Sequence, residues 1–160
     1  DPRKNNHLKR LIKQAKFSES GACIEDIEYH ADRNLIARLS TCNYITERHN
    51  VLLLGATGSG KTYTACALGM AERNFLQVRY VRLLELLTDL AIARGNGTFP
   101  KAIQQYKKPA LLILDKWLLY PLGETKARDL LEIAEARYKK LPQYSVLSST
   151  FPVGAKRSEI

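Results

Sequence analysis

Cysteine is scarce in this chain, and Cys23, Cys42 and Cys66 are odd in number, widely spaced and never arranged as C-x-x-C. That pattern excludes a disulfide framework and leaves reduced thiols as the expectation. Cys23, His30, Cys42 and His49 can be grouped on paper as a zinc set, but their separations are too long and irregular for ordinary zinc-ligand spacing. Long apolar runs are missing as well. No stretch approaches the roughly 20 residues that cross a bilayer, and no extended apolar segment opens the chain as a signal peptide, so a cytoplasmic protein without membrane contact is expected. Aromatics are thin, at 8%. Trp117, Tyr120, Tyr138 and Tyr144 do not interleave with basic residues at strand spacing, so they read as core or interface groups rather than a base-stacking platform. The sequence has no internal repeat and no low-complexity tract.

Acid is also in short supply, and unevenly so. Twenty-five Lys and Arg against 16 Asp and Glu give a formal charge of +9 and a pI near 9.6. Arg3, Lys4, Lys9, Arg10, Lys13 and Lys16 crowd the opening stretch, where Asp1 is the only acid. A solvated helix face is one reading of such a run. Contact with a polyanion is the other, because phosphate neutralisation supplies much of the affinity of nucleic-acid-binding proteins.

With 160 residues and 45% of them hydrophobic, the chain has material for one substantial core. Leu8, Leu11, Ile12 and Ala15 recur at helical spacing and predict an amphipathic helix over 3–16. Asp32 is placed to cap a second helix running to Leu39. Apolar strand formers at 51–54 are followed by a helix over 60–73, a β-rich stretch over 77–81 and a leucine-rich helix over 83–93 that meets Gly95-Asn96-Gly97. A short amphipathic segment over 100–106 precedes the fully apolar run Ala110–Asp115. A helix over 124–140 and a strand over 144–149 complete the pattern. Strands alternating with helices of this length predict a parallel sheet with helices on both faces.

The most specific string is Gly55-Ala56-Thr57-Gly58-Ser59-Gly60-Lys61-Thr62, a complete G-x-x-x-x-G-K-[ST] loop placed directly after an apolar strand and before a helix. Glycine permits positive φ and close approach, so successive amides can converge on anionic oxygens, and the helix that opens here adds its positive dipole end. Lys61 would reach the β- and γ-phosphates of ATP or ADP, Thr62 would ligate Mg²⁺, and Tyr63 follows within the same site. Downstream, Leu111-Leu112-Ile113-Leu114-Asp115 is an apolar strand ending in an acid. Asp115 there would hold the metal's water shell opposite Thr62, from the strand neighbouring the loop.

Taken with Ile24-Glu25-Asp26-Ile27, Val78–Leu87, Arg137-Tyr138 and the Ser148–Pro152 segment, these motifs make the chain resemble the AAA+ ATPases of the IstB/DnaC type, and in particular the IstB transposition helpers. The resemblance covers nearly the whole chain. It implies a three-layer P-loop NTPase of the AAA+ type, an α/β fold with a central parallel sheet flanked by helices. Residues 1–45 are then an N-terminal helical segment packed on or next to a nucleotide-binding core of residues 46–160. The chain stops at Ile160, before the region where relatives carry the arginine finger and the helical lid, so the lid domain is expected to be absent. Members of the family bind ATP with Mg²⁺, assemble as ATP-dependent homo-oligomers on double-stranded DNA and assist a transposase. DnaC-type relatives deliver a replicative helicase instead, and that is the alternative.

Two positions depart from the family pattern. The acid that usually follows the magnesium aspartate is replaced by Lys116, so ATP hydrolysis is expected to be weak unless another acid, such as Glu124 or Glu85, substitutes. The first sensor, at the tip of the strand beside the magnesium strand, falls on Thr150 or Ser149 rather than Asn or Gln, which places Thr150 with Lys61 and Asp115 among the catalytic candidates. A small-molecule kinase would use the same loop, but Arg94, Lys101, Lys107 and Lys108 do not form an obvious substrate lid.

Overall fold

The computed structural model describes residues 2–27, 33–41, 43–46, 50–55, 58–72, 77–117, 121–139 and 144–150. Helix α1 (Pro2–Ala15) leads to a 3-10 turn at Ile24–Asp26 and then to helices α2 (Arg33–Ser40) and α3 (Asn43–Thr46). Strand β1 (Val51–Gly55) and helix α4 (Lys61–Glu72) flank the glycine loop. There follow β2 (Val78–Arg82), α5 (Leu83–Gly95), α6 (Phe99–Lys107), β3 (Leu111–Trp117), α7 (Glu124–Lys139) and β4 (Tyr144–Thr150). The hydrophobic periodicity located these helices and strands to within a residue or two, because burial on one side of an element dictates its spacing. It missed the 3-10 turn and α3, which are too short to show a period. Asp32 lies outside the described residues.

Among the described residues the four strands are all parallel, in the order β1-β4-β3-β2. This corrects one expectation: the strand ending in Asp115 does not neighbour the loop strand, since β4 lies between them. The reason is geometric. A crossover helix is about 10 Å wide and strands sit about 4.8 Å apart, so a β-α-β connection readily leaves room for strands inserted later.

Side chains alternate between the two faces of the sheet and feed two apolar layers. Val78, Tyr80, Leu111 and Ile113 face one layer with Ala15 of α1, Ile36 and Leu39 of α2, and Ala65, Cys66 and Leu68 of α4. Val81, Leu112 and Leu114 face the other, against Leu86, Leu87 and Leu90 of α5, Ile103 and Tyr106 of α6 and Ile133 of α7. Burial of both faces is why β3 reads as an unbroken apolar run rather than an alternating one. The basic helix α1 is anchored by Ala15, while Lys4, Lys9, Arg10 and Lys13 are exposed. Among the described residues, no helix is long and apolar enough to cross a membrane.

A buried arginine fixes the approach to β3. Arg137 of α7 donates through Nη1 to the carbonyls of Tyr106 (3.3 Å) and Pro109 (2.7 Å) and through Nη2 to that of Ala110 (3.2 Å). It thereby ties the end of α6 to the start of the strand that carries Asp115. Burial pushes its guanidinium down to about 10.

Candidate phosphate-binding site

The site forms where the carboxyl ends of the parallel strands meet the amino end of α4, the usual ligand position of an open α/β sheet. Gly58 and Gly60 adopt φ of 80° and 78°, values that cost an L-residue with a side chain about 1–2 kcal/mol. A Cβ on Gly55 would meet Ser59 Oγ at 2.8 Å, so that glycine admits the loop's own hydroxyl. Ala56 and Thr57 lie outside the described residues. Lys61 opens α4, is 9% exposed and donates from Nζ to Ser59 Oγ at 3.0 Å. Burial lowers the pKa of its ammonium, and the charge of Asp115 works in the opposite direction.

Thr62 and Asp115 meet although they are 53 residues apart. Thr62 Oγ1 donates to Asp115 Oδ2 at 2.8 Å, across the strand that separates β1 from β3. Asp115 is 1% exposed, a burial that a carboxylate tolerates only with partners. Besides Thr62 it accepts the Tyr80 hydroxyl at 2.7 Å on Oδ2 and the Lys116 amide at 2.9 Å on Oδ1. Lys116 itself has a φ of 55° in an irregularity of the ladder between Leu114 and Trp117, and its side chain is exposed. The residue after Asp115 therefore sits at a register shift of the bulge kind, which re-aims a side chain at a strand end.

The remaining candidates fall around this centre. Tyr63 Oη accepts the Cys23 amide at 3.2 Å, tying the loop helix to the segment just before the 3-10 turn. Thr150 pairs in register with Gly55, and Ser149 pairs with both Leu54 and Trp117, so the end of β4 lies between the loop and the tip of β3. Glu124 and Glu85 are exposed, and their carboxylates engage Arg128 (3.4 Å) and Arg82 (3.8 Å). Arg94 and Lys107 are ion-paired with Asp129 and Glu132. Of the paper zinc set, Cys23 is exposed with a free thiol, whereas His30, Cys42 and His49 lie outside the described residues. A cleft of about 640 Å³ runs from Gly55, Ser59 and Lys61 along β1 to Leu39 and Tyr44.

Three features fit a magnesium-bound triphosphate. The loop is held open for backbone approach by positive-φ glycines, a cation stands at its helical end, and a hydroxyl and a buried carboxylate already touch where a divalent ion would need both. Tyr80 is the participant that sequence reasoning missed. Its position in an alternating strand shows which face it takes, but nothing in that spacing pairs it with an acid 35 residues later.

Comparison with solved structures places the fold in a class. The chain superposes on a DnaC helicase loader with a TM-score of 0.70, at 16% identity, over 84% of this chain and 80% of that one. An AMPPCP-bound DnaA from Aquifex aeolicus gives a TM-score of 0.70 at 19% identity, over 81% of this chain and 42% of that one. The fold is that of the AAA+ P-loop NTPases. The chain belongs to the family described as IstB-like ATP binding protein, whose profile matches residues 1–158. It is 42% identical over 155 residues to a Pseudomonas fluorescens protein named for insertion sequence IS1162 and for ATP binding, covering 94% of this chain and 66% of the relative. It is 38% identical to the similarly named y4pL protein of Sinorhizobium fredii strain NGR234, covering 92% of this chain and 62% of the relative. The chain thus spans somewhat less than two thirds of the length of these relatives.

Proposed function

We propose that this chain binds ATP with Mg²⁺ through the Gly55–Thr62 loop and Asp115, and that the nucleotide governs its assembly on double-stranded DNA in support of a transposase. The observation that carries the reading is the Thr62–Asp115 contact behind a complete phosphate loop, in a chain whose family relatives are named for insertion sequences and ATP binding. Bound magnesium would supply charge neutralisation to the β- and γ-phosphates. Thr62 and Asp115 would hold it, Lys61 would leave Ser59 for the phosphates, and the Thr150 and Ser149 positions stand beside the loop. Exposed Lys4, Lys9, Arg10 and Lys13 on α1 offer a surface for duplex phosphates. A cytoplasmic location accords with this role.

Fluorescent ATP titrations and sedimentation on duplex DNA test the proposal together. Wild type should bind nucleotide with Mg²⁺ and form larger species on DNA when ATP is added. Lys61→Ala should weaken nucleotide binding at least tenfold and abolish the ATP-dependent growth. Assembly by the variant equal to that of wild type would refute the ATP switch. The likeness to a DnaC helicase loader concerns the fold, so helicase delivery stays the alternative. A stable complex with a replicative helicase, without salt-sensitive DNA binding, would favour it.

A further inference from the structure

The geometry points to Tyr80 as a positioning residue that holds the Asp115 carboxylate in its metal-binding orientation, an inference that rests on the nucleotide reading of the same site. Asp115 Oδ2 accepts two hydroxyls, from Thr62 on α4 at 2.8 Å and from Tyr80 on β2 at 2.7 Å, while Oδ1 accepts the Lys116 amide at 2.9 Å. These three donors do different work. Thr62 must also turn its oxygen towards a cation, and the Lys116 amide belongs to the bulged, positive-φ residue next in the chain. Tyr80 alone approaches from a neighbouring strand in the sheet, where it pairs in register with Ile113. Its ring is 4% exposed among the apolar residues of β2, β3 and α4, so its place is set by packing and does not depend on the ligand.

The hydroxyl is buried together with the carboxylate, and Tyr80 acts through Asp115 rather than on the nucleotide. Partners of this kind behind a metal-binding group commonly change metal affinity by about 10–100-fold when removed.

A tyrosine that merely satisfied its own hydroxyl would behave differently, and Tyr80→Phe separates the two cases because it keeps the ring and deletes one oxygen. Binding of fluorescent ATP is measured on the whole chain in EDTA and across a MgCl₂ titration, for wild type, Tyr80→Phe, Asp115→Asn and the double variant. Tyr80→Phe should match wild type in EDTA within about twofold and need about tenfold more Mg²⁺ for half-saturation. In the Asp115→Asn background, removing the hydroxyl should have no further effect on the Mg²⁺ dependence. An unchanged Mg²⁺ midpoint in Tyr80→Phe overturns this inference while leaving nucleotide binding in place. Wild type that gains nothing from Mg²⁺, or binds no nucleotide at all, overturns the underlying reading as well.

Discussion

Lys116 shows how much a single side chain can decide. It follows the aspartate that would hold magnesium, where a carboxylate would polarise the attacking water, and an ammonium cannot accept a proton in that way. The residue sits on a bulge with a φ of 55°, and glutamate would bear the same backbone cost as lysine there. Lys116→Glu should therefore leave thermal stability nearly unchanged. It should raise steady-state ATP turnover by about 100-fold from a slow wild-type rate, read as phosphate release. Rapid turnover by the unsubstituted chain, or none gained by the variant, would show that some other group activates the water. At this scale the sequence offered Lys61, Thr62 and Asp115 as candidates because the motifs that contain them have a rigid local spacing. Tyr80 was not, since its contact with Asp115 arises only when β2 and β3 pair.

Elements were legible where burial imposes a period and illegible where a few residues serve a joint. The apolar runs of β1 and β3 and the stripes of α1 and α5 announced themselves. Arg137 appeared in the sequence only as one residue of a familiar dipeptide, yet it caps the α6–β3 turn through three carbonyls from inside the core. Replacing it with a residue of similar length and no donors leaves those buried acceptors without the partner they had. Each such acceptor costs on the order of 1–3 kcal/mol, partly offset because no charge is then buried. Arg137→Met should lower stability by about 3 kcal/mol, seen as a shifted urea midpoint with an unchanged slope. Arg137→Lys, with one head group for three carbonyls, should recover less than half of that loss. A neutral Arg137→Met would mean that the turn holds itself.

The whole molecule carries a pH signature that its buried phenols impose. Burial raises the pKa of Tyr80 and of Tyr106, each reinforced by a carboxylate, Asp115 for the first and Asp89 for the second. Their unfolded value is 10.0, so above that pH the unfolded chain loses protons that the native state keeps, and stability falls as pH rises. Arg137 works in the opposite sense, because its native guanidinium is pushed down to about 10 and the unfolded chain holds the extra proton. The lowered Lys61 acts in the same sense as Arg137 and the raised Cys66 in the sense of the phenols, so the two phenols leave stability falling as pH rises above 10. Denaturant midpoints at pH 9.5 and 11.5 check this, and the 295 nm absorbance of the two phenols should appear only with unfolding. Midpoints that hold steady over that range would contradict it.

The sequence by itself determined the class of protein, and it put forward a candidate phosphate loop with its lysine and threonine and Asp115 as the candidate metal ligand. Each of these depends on short-range spacing that a strand, a turn and a helix start impose on consecutive residues. The tertiary structure decided the strand order that separates β1 from β3, and the meeting of Thr62 with Asp115 across β4. It also decided the hydroxyl of Tyr80 behind that carboxylate and the arginine that ties α7 to the strand bearing it. Those contacts join residues remote in the chain, and they exist only because parallel strands must be linked by helices that carry the backbone across the sheet before it returns.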